Sequence, residues 1–290
     1  MYTVGVDIGG TKIKIGLFSR ELLIKEETIP TPQASVAERL ITAIKGVVQD
    51  ESIHAIGVAS AGIVHFQKGM IIRAANVRGL EEVPLKSLLE KAFHVPVVIG
   101  NDANCAAWAE GEIGAAQSVD SYICVTLGTG IGGGIVHNHK LIHGKNGYGG
   151  EIGHMVIMPN GVACGCGRNG CWEAYASGMA LEKMISGHPL LTEKQYRPKD
   201  LFEHYTDQPS CKEIVDQFID YLCLGIANLQ YIFDPDRIVI GGGMIDSGEH
   251  WWTIFLENLS RQSSIPIDVQ RAKLKNNASM IGASYLALQE

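Results

Sequence analysis

The chain has 290 residues, 46% of them apolar and 19% charged, enough to build one or two well-packed cores. A formal net charge of -7 leaves no broad basic surface and excludes a nucleic-acid-binding role, and no apolar run is long enough to span a membrane. Seven cysteines, an odd number, argue against a disulfide framework, and the N-terminus shows no charged leader before an apolar stretch, so a cytoplasmic protein is expected.

In chain order, residues 1–18 read as a hairpin. Val4, Val6 and Ile8 alternate with small or polar residues, Ile13, Ile15 and Leu17 do so again, and Asp7-Ile8-Gly9-Gly10-Thr11-Lys12 forms the turn. Residues 34–49 carry an amphipathic helical pattern. Residues 56–59 form a short buried strand, Pro84 opens a helix near 85–92, and residues 95–99 form a strand that ends at Asn101 and Asp102. An alanine-rich helix follows to about Gly111. A second strand–turn–strand unit spans 122–136, its turn reading Gly128-Thr129-Gly130-Ile131-Gly132-Gly133-Gly134. Helices are expected over 175–186 and 213–233, the second stopped by Asp234-Pro235, with polar, irregular chain between them. A core strand over 237–240 exits at Gly241, Gly242 and Gly243. A helix near 249–259, a strand over 267–269 and a helix over 278–288 complete an α/β pattern of parallel and antiparallel strands.

Cysteine spacing gives the sharpest chemical signal. The order is His154-x9-Cys164-x-Cys166-x4-Cys171, with glycines at 165, 167 and 170 that let the thiolates converge. Four N/S ligands with no open position define a structural Zn²⁺ site. Glu151 and Glu173 flank it, placing two carboxylates beside the ion. If one imidazole nitrogen of His154 binds zinc, the other is left either for a substrate hydroxyl or for a structural hydrogen bond. Cys105, Cys124, Cys211 and Cys223 read as core thiols, and His137, His139 and His143 as surface or structural residues.

The three glycine runs point to a polyanion. Residues 9–12 lack the spacing of the P-loop and the dinucleotide fingerprint and sit inside a hairpin, yet backbone N–H groups of such a turn form an anion nest, to which Thr11 and Lys12 add a hydroxyl and a charge. Asp7 on the same turn suits a metal ion or its water. Gly128, Thr129 and Gly130 form a second such turn, and Gly241, Gly242 and Gly243 offer a flat surface for a purine. Together they suggest a nucleoside triphosphate. Asp102 lies just past the C-terminal end of a strand, where α/β proteins place ligands. It serves there either as the base that accepts a sugar hydroxyl proton or as the cap of the following helix. Asn101 offers a donor and an acceptor to a second hydroxyl, and Asn76, in a turn-like stretch, is a further substrate contact or a turn residue.

These motifs, spread over essentially the whole chain, resemble the ROK family of bacterial sugar kinases and repressors, within the actin-like ATPase superfamily. The zinc segment looks like the family's signature, residues 7–12 and 127–130 like its two phosphate motifs, residues 241–243 like its adenosine region, and Asn101 with Asp102 like the pair that contains its catalytic base. The resemblance implies an α/β, two-domain actin-like (ribonuclease H-like) fold with an interdomain cleft. It divides the chain at 1–115, completed by a terminal helix at about 275–290, and 116–274, which carries the zinc. It also implies ATP and Mg²⁺ as cofactors beside structural Zn²⁺, a homodimer, and sugar contacts from Asn76, Asn101, Asp102, Glu151, His154 and Glu173. Family repressors carry an N-terminal helix-turn-helix; here the first phosphate turn starts at residue 7, which favours a kinase over a nonenzymatic sugar-binding regulator. Glucose is the first-choice substrate. Where family glucokinases often carry Asn-Leu-Gly-Trp this chain has Asn76-Val77-Arg78-Gly79, which keeps N-acetylmannosamine and N-acetylglucosamine as runners-up, ahead of allose, mannose and fructose.

Overall fold

The structure, a computed structural model, describes residues 1–74, 77 and 79–289. The chain opens with β1 (Tyr2–Ile8), β2 (Lys12–Ser19) and β3 (Leu22–Pro30), then α1 (Val36–Val48), β4 (Ile53–Ser60), β5 (Ile63–His65) and β6 (Met70–Arg73). Next come α2 (Leu85–Phe93), β7 (Val97–Asn101), α3 (Asp102–Ile113), β8 (Tyr122–Leu127), β9 (Ile131–His137) and β10 (Lys140–Leu141). The helices α4 (Gly178–Ser186), α5 (Pro189–Glu193), α6 (Pro198–Glu203) and α7 (Pro209–Phe233) precede β11 (Arg237–Gly241), α8 (Gly248–Gln262), β12 (Val269–Arg271) and α9 (Ala278–Leu286). No described helix is long and apolar enough to cross a membrane.

The chain divides into two compact units, Met1–Asp120 with Gly134–Gly150 and Lys273–Glu290, and Ser121–Gly133 with Glu151–Ala272. Beside the division expected from the resemblance, at residues 116 and 275, the first unit also takes in residues 116–120, 134–150 and 273–274. There are two mixed five-stranded sheets: β3-β2-β1-β4-β7, wholly within the first unit, and β10-β9-β8-β11-β12, whose strands β8, β11 and β12 form the centre of the second.

In the first unit the strand period of two sorts side chains onto opposite faces. Val4, Val6 and Ile8 of β1 and Ile13, Ile15 and Leu17 of β2 form one fully buried face with Leu40 and Ile44 of α1 and Leu85 and Leu89 of α2. The other face has a bare strip at its centre, where Gly5 pairs with Gly16 on one side and Gly57 on the other. Helix α9 lies directly on this row: a Cβ at Gly5 would overlap the Met280 carbonyl, and one at Gly57 the Ala283 carbonyl. Gly57→Ala should therefore destabilise the protein by about 1–3 kcal/mol, since neither backbone can yield cheaply. A lowered urea midpoint with an unchanged slope is the expected result; an unchanged midpoint would mean that the helix does not sit this close.

In the second unit β8, β11 and β12 run parallel. The core between α6, α7 and α8 is aromatic, with the ring of Trp251 within 6.2 Å of those of Phe202, Phe218 and Phe255.

Several elements differ from the sequence-based expectation. The opening hairpin continues into β3, whose residues Lys25, Glu26 and Glu27 disguise it as a loop; charged residues are what an edge strand uses to deter further pairing. β12 starts at Val269 and includes Gln270 and Arg271, again polar residues on an edge. Helix α4 starts at Gly178 instead of Tyr175, because Ser177 accepts the Ala180 N–H and fixes the N-cap there.

Candidate active site and metal centre

The parallel strands β1, β4 and β7 end level, with Ile8 opposite Ser60 and Ser60 opposite Asn101. The turn at residues 9–12 and the start of α3 thus leave one sheet edge, two strand spacings or roughly 10 Å apart. The turn is closed by Gly9 N–H donating to the Lys12 carbonyl at 3.0 Å. It is braced by Thr31, whose hydroxyl donates to the Gly9 carbonyl at 2.6 Å and whose N–H donates to the Thr11 carbonyl at 3.0 Å. Thr11 and Lys12 remain exposed. Thr31 was not foreseen as part of this motif, because it arrives from the unanticipated strand β3. Asp7 lies opposite Lys14; burial pushes its carboxyl above the usual range, against the pull of Lys14 and Lys12.

Asn101 supplies the cap of α3. Its Oδ1 accepts the Asn104 N–H at 3.0 Å and its Nδ2 donates to the Gly62 carbonyl at 2.9 Å, so the amide is oriented from both ends and each end keeps capacity for one more partner. The capping role expected as one option for Asp102 therefore falls to Asn101. Asp102 occupies the first helical position, its Oδ1 accepting the Ala103 N–H at 2.9 Å, where the helix dipole favours the ionised carboxylate. Asn76, expected among the substrate contacts, lies outside the described residues.

In the second unit β8 and β11 end side by side, Thr126 opposite Gly241. The turn containing Gly128, Thr129 and Gly130 and the run Gly241, Gly242 and Gly243 leave the sheet together. The N-terminus of α4 adjoins them: Gly178 N–H donates to the Gly128 carbonyl at 2.9 Å and Met179 N–H to the Thr129 carbonyl at 3.2 Å. A Cβ added at Gly128 or Gly243 would meet nothing within 4 Å, so both present bare backbone to open space, as close approach of a ligand requires.

His154, Cys164, Cys166 and Cys171 bring one ligand atom each to within 4.8 Å of one another. A zinc tetrahedron with ordinary Zn–S and Zn–N bonds has edges of about 3.5–3.8 Å. The Cys164 Sγ–His154 Nδ1 and Cys166 Sγ–Cys171 Sγ distances are both 3.6 Å. The donor set and its spacing fit a structural zinc ion. Nδ1 faces the sulfurs, so the nitrogen directed away from them is Nε2, 3.8 Å from Glu151 Oε2. Burial pushes the Cys164 thiol up to about 12, so metal binding must displace a proton there.

Glu173 joins the cluster to the second glycine turn. Its Oε1 accepts the Cys164 thiol at 3.3 Å and lies 3.7 Å from His154 Nδ1, while its Oε2 accepts the Ile131 N–H at 3.3 Å. Burial pushes the Glu151 carboxyl above its usual range; His154 acts against this and Glu173 with it. The loop is anchored by Trp172, fully buried, whose Nε1 donates to the Tyr221 carbonyl at 2.8 Å and whose indole fills the notch left by Gly225 on α7. Nothing in the sequence near Gly225 signals this anchor, since a helical glycine reads only as a weak point. The four remaining cysteines are buried, as expected. His143 takes the structural alternative: half-buried, it stacks on Phe66 with ring centroids 3.8 Å apart, and burial lowers its pKa.

Glycine turns at strand ends, an aspartate at the head of a helix and a His-Cys₃ cluster whose spacing fits zinc are the features of a phosphate-handling α/β protein. The sequence profile of the ROK family matches residues 3–290. The chain is 34% identical to a glucokinase of Streptomyces coelicolor, over 98% of this chain and 97% of that one. It is 33% identical to an N-acetylmannosamine kinase of Haemophilus influenzae, over 98% and 95%. A crystal structure of a ROK family glucokinase from Streptomyces griseus, in complex with glucose and AMPPNP, covers all of this chain and is covered by it, at TM-score 0.83 and 33% identity. The chain belongs to the ROK family, as one of its sugar kinases, a phosphotransferase with that family's α/β fold.

Proposed function

We propose that the protein transfers the γ-phosphate of ATP to the 6-hydroxyl of a hexose, with glucose the favoured substrate. One observation carries this reading. Asn101 takes the capping role at α3, so Asp102 stands on the first turn of the helix, at the sheet edge from which the glycine turn at residues 9–12 emerges. In the proposed reaction the hexose 6-oxygen bonds to the γ-phosphorus as the bond to the β,γ-bridging oxygen breaks, and ADP leaves with that electron pair. The Asp102 carboxylate accepts the hydroxyl proton. The anion sites are the backbone of residues 9–12, with Thr11 and Lys12, and the turn at Gly128, Thr129 and Gly130; Gly241, Gly242 and Gly243 face the adenosine. Mg²⁺ supplies charge neutralisation at the phosphates, and Asp7 is the hard oxygen donor suited to hold it or its water.

The proposed sugar contacts are Asn76, Asn101, Asp102, Glu151, His154 and Glu173. With Nδ1 turned to the thiols, His154 keeps Nε2 for a sugar hydroxyl beside Glu151. Glucose as substrate is supported by the likeness to the S. coelicolor enzyme and the glucose-bound S. griseus structure. The nearly equal likeness to an N-acetylmannosamine kinase, with the missing tryptophan in residues 76–79, favours an N-acylhexosamine as the second reading. The same reading carries a homodimer and a cytoplasmic setting.

A coupled ADP-release assay with glucose, N-acetylglucosamine, N-acetylmannosamine, mannose, allose and fructose tests the proposal. Sugar-dependent release, highest kcat/KM with glucose, is expected. A preference for N-acetylmannosamine or N-acetylglucosamine would move the assignment to the second reading. No release with any sugar at saturation would leave a sugar-binding regulator as the better account.

A further inference from the structure

Glu110 is fully buried, a rare place for a carboxylate. It sits on α3, eight residues beyond Asp102 and so about 12 Å along the helix axis. Both of its oxygens are held by backbone N–H groups from two separate stretches of chain. Oε2 accepts from Ala115 at 2.7 Å, Oε1 accepts from Leu274 at 2.8 Å, and Lys273 N–H lies 3.0 and 3.1 Å from the two oxygens. The segment so gripped leads into α9, and Lys14 holds it again three residues on, donating to the Asn276 carbonyl at 2.7 Å and to Asn277 Oδ1 at 2.8 Å. Helix α9 then returns to α3 at its catalytic end. A Cβ at Gly282 would overlap the carbonyl of Cys105, so the two backbones touch one turn beyond Asp102.

We propose that Glu110 is a positioning residue for phosphoryl transfer. Its carboxylate fixes the entry of α9, and α9, seated on the glycine row and against Cys105, holds the first turn of α3 and with it Asp102. The inference rests on Asp102 being the base. The hydrogen-bond pattern makes the requirement specific to a carboxylate. All three contacts arrive as N–H donors on both oxygens, so a glutamine must turn its own NH₂ toward either Ala115 or Leu274, donor against donor. Isosteric Glu110→Gln should therefore fail where an ordinary packing position would tolerate it. Glu110→Asp keeps the charge one methylene short and should lie between.

The test uses the full-length, zinc-loaded enzyme. Wild type, Glu110→Gln and Glu110→Asp are compared at a temperature where circular dichroism shows each folded. Steady-state kinetics, calorimetric binding of glucose and of a nonhydrolysable ATP analogue, and hydrogen exchange of peptides covering 101–106 and 273–277 are measured. The expected result for Glu110→Gln is a kcat at least about tenfold lower, the usual scale for a lost outer-shell partner, with both dissociation constants within threefold. Exchange should be faster in both peptides, and Glu110→Asp should be intermediate on each readout. In the wild type the amides of Ala115, Lys273 and Leu274 should exchange only on global unfolding. A wild-type kcat in folded Glu110→Gln would overturn the proposal. So would a loss of activity matched by equal loss of sugar binding, as for simple partial unfolding, or rapid exchange of those three amides in the wild type, which needs no variant to fold. Absence of sugar-dependent turnover in the wild type would instead overturn the kinase reading itself.

Discussion

Asp102→Asn should remain folded, bind glucose with an affinity close to wild type, and turn over roughly 10²–10⁴-fold more slowly, the usual cost of removing a general base. The amide keeps the size of the side chain and can still accept the Ala103 N–H, and the cap of α3 belongs to Asn101, so the helix should not fray. The loss should appear in kcat, because the proton is transferred only as the new P–O bond forms. Asn101→Ala should behave differently. It removes the Asn104 and Gly62 contacts together, costing about 0.5–2 kcal/mol of stability through the lost cap, and should raise KM for sugar as well as lower kcat. Near-normal kcat in folded Asp102→Asn would remove this residue from the chemistry.

Removal of zinc should be nearly as damaging, by a different route. Wild type should carry about one zinc per chain, and Cys166→Ala, which deletes one vertex of the tetrahedron, should lose it. Sugar affinity should fall at least about tenfold, because His154 and its two neighbouring carboxylates lose their fixed geometry. The position of the ligands in the sequence, bracketing Glu151 and Glu173 and apart from the glycine turns, already suggests that sugar binding weakens more than nucleotide binding. The structure shows how nucleotide binding would be touched: Glu173, two residues from the ligand Cys171, accepts the Ile131 N–H at the end of the second glycine turn, so disordering the zinc loop should lower nucleotide affinity too, though less. Elemental analysis with paired binding measurements checks this; a metal-free wild type with full activity would contradict it. Reloading should release protons, since the Cys164 thiol is protonated at neutral pH in the empty site.

Much of this molecule is legible in its sequence because the informative features are local. The zinc ligands lie in one short stretch whose glycines announce the fold of the loop. The turn at residues 9–12 lies between strands with clean alternation, and Asn101 and Asp102 directly follow an apolar strand. What escapes the sequence depends on contacts between distant segments. Thr31 braces the first turn from a strand that its charges conceal. Trp172 needs Gly225, more than fifty residues away, to have a place to sit. The row Gly5, Gly16 and Gly57 reads as three weak strand residues until α9 is laid across it. Nothing in the sequence marks out Glu110 on its alanine-rich helix, and only its three backbone donors reveal it as a buried anchor.

The central claim, phosphoryl transfer to a hexose hydroxyl with Asp102 as base, is tested most directly by identifying the product. Purified enzyme, ATP, Mg²⁺ and glucose, followed by ³¹P NMR, should give a hexose 6-phosphate resonance that grows in step with ADP, and Asp102→Asn at equal concentration should give almost none. ADP appearing with inorganic phosphate and no sugar phosphate, or equal product from the Asp102→Asn protein, would contradict the account.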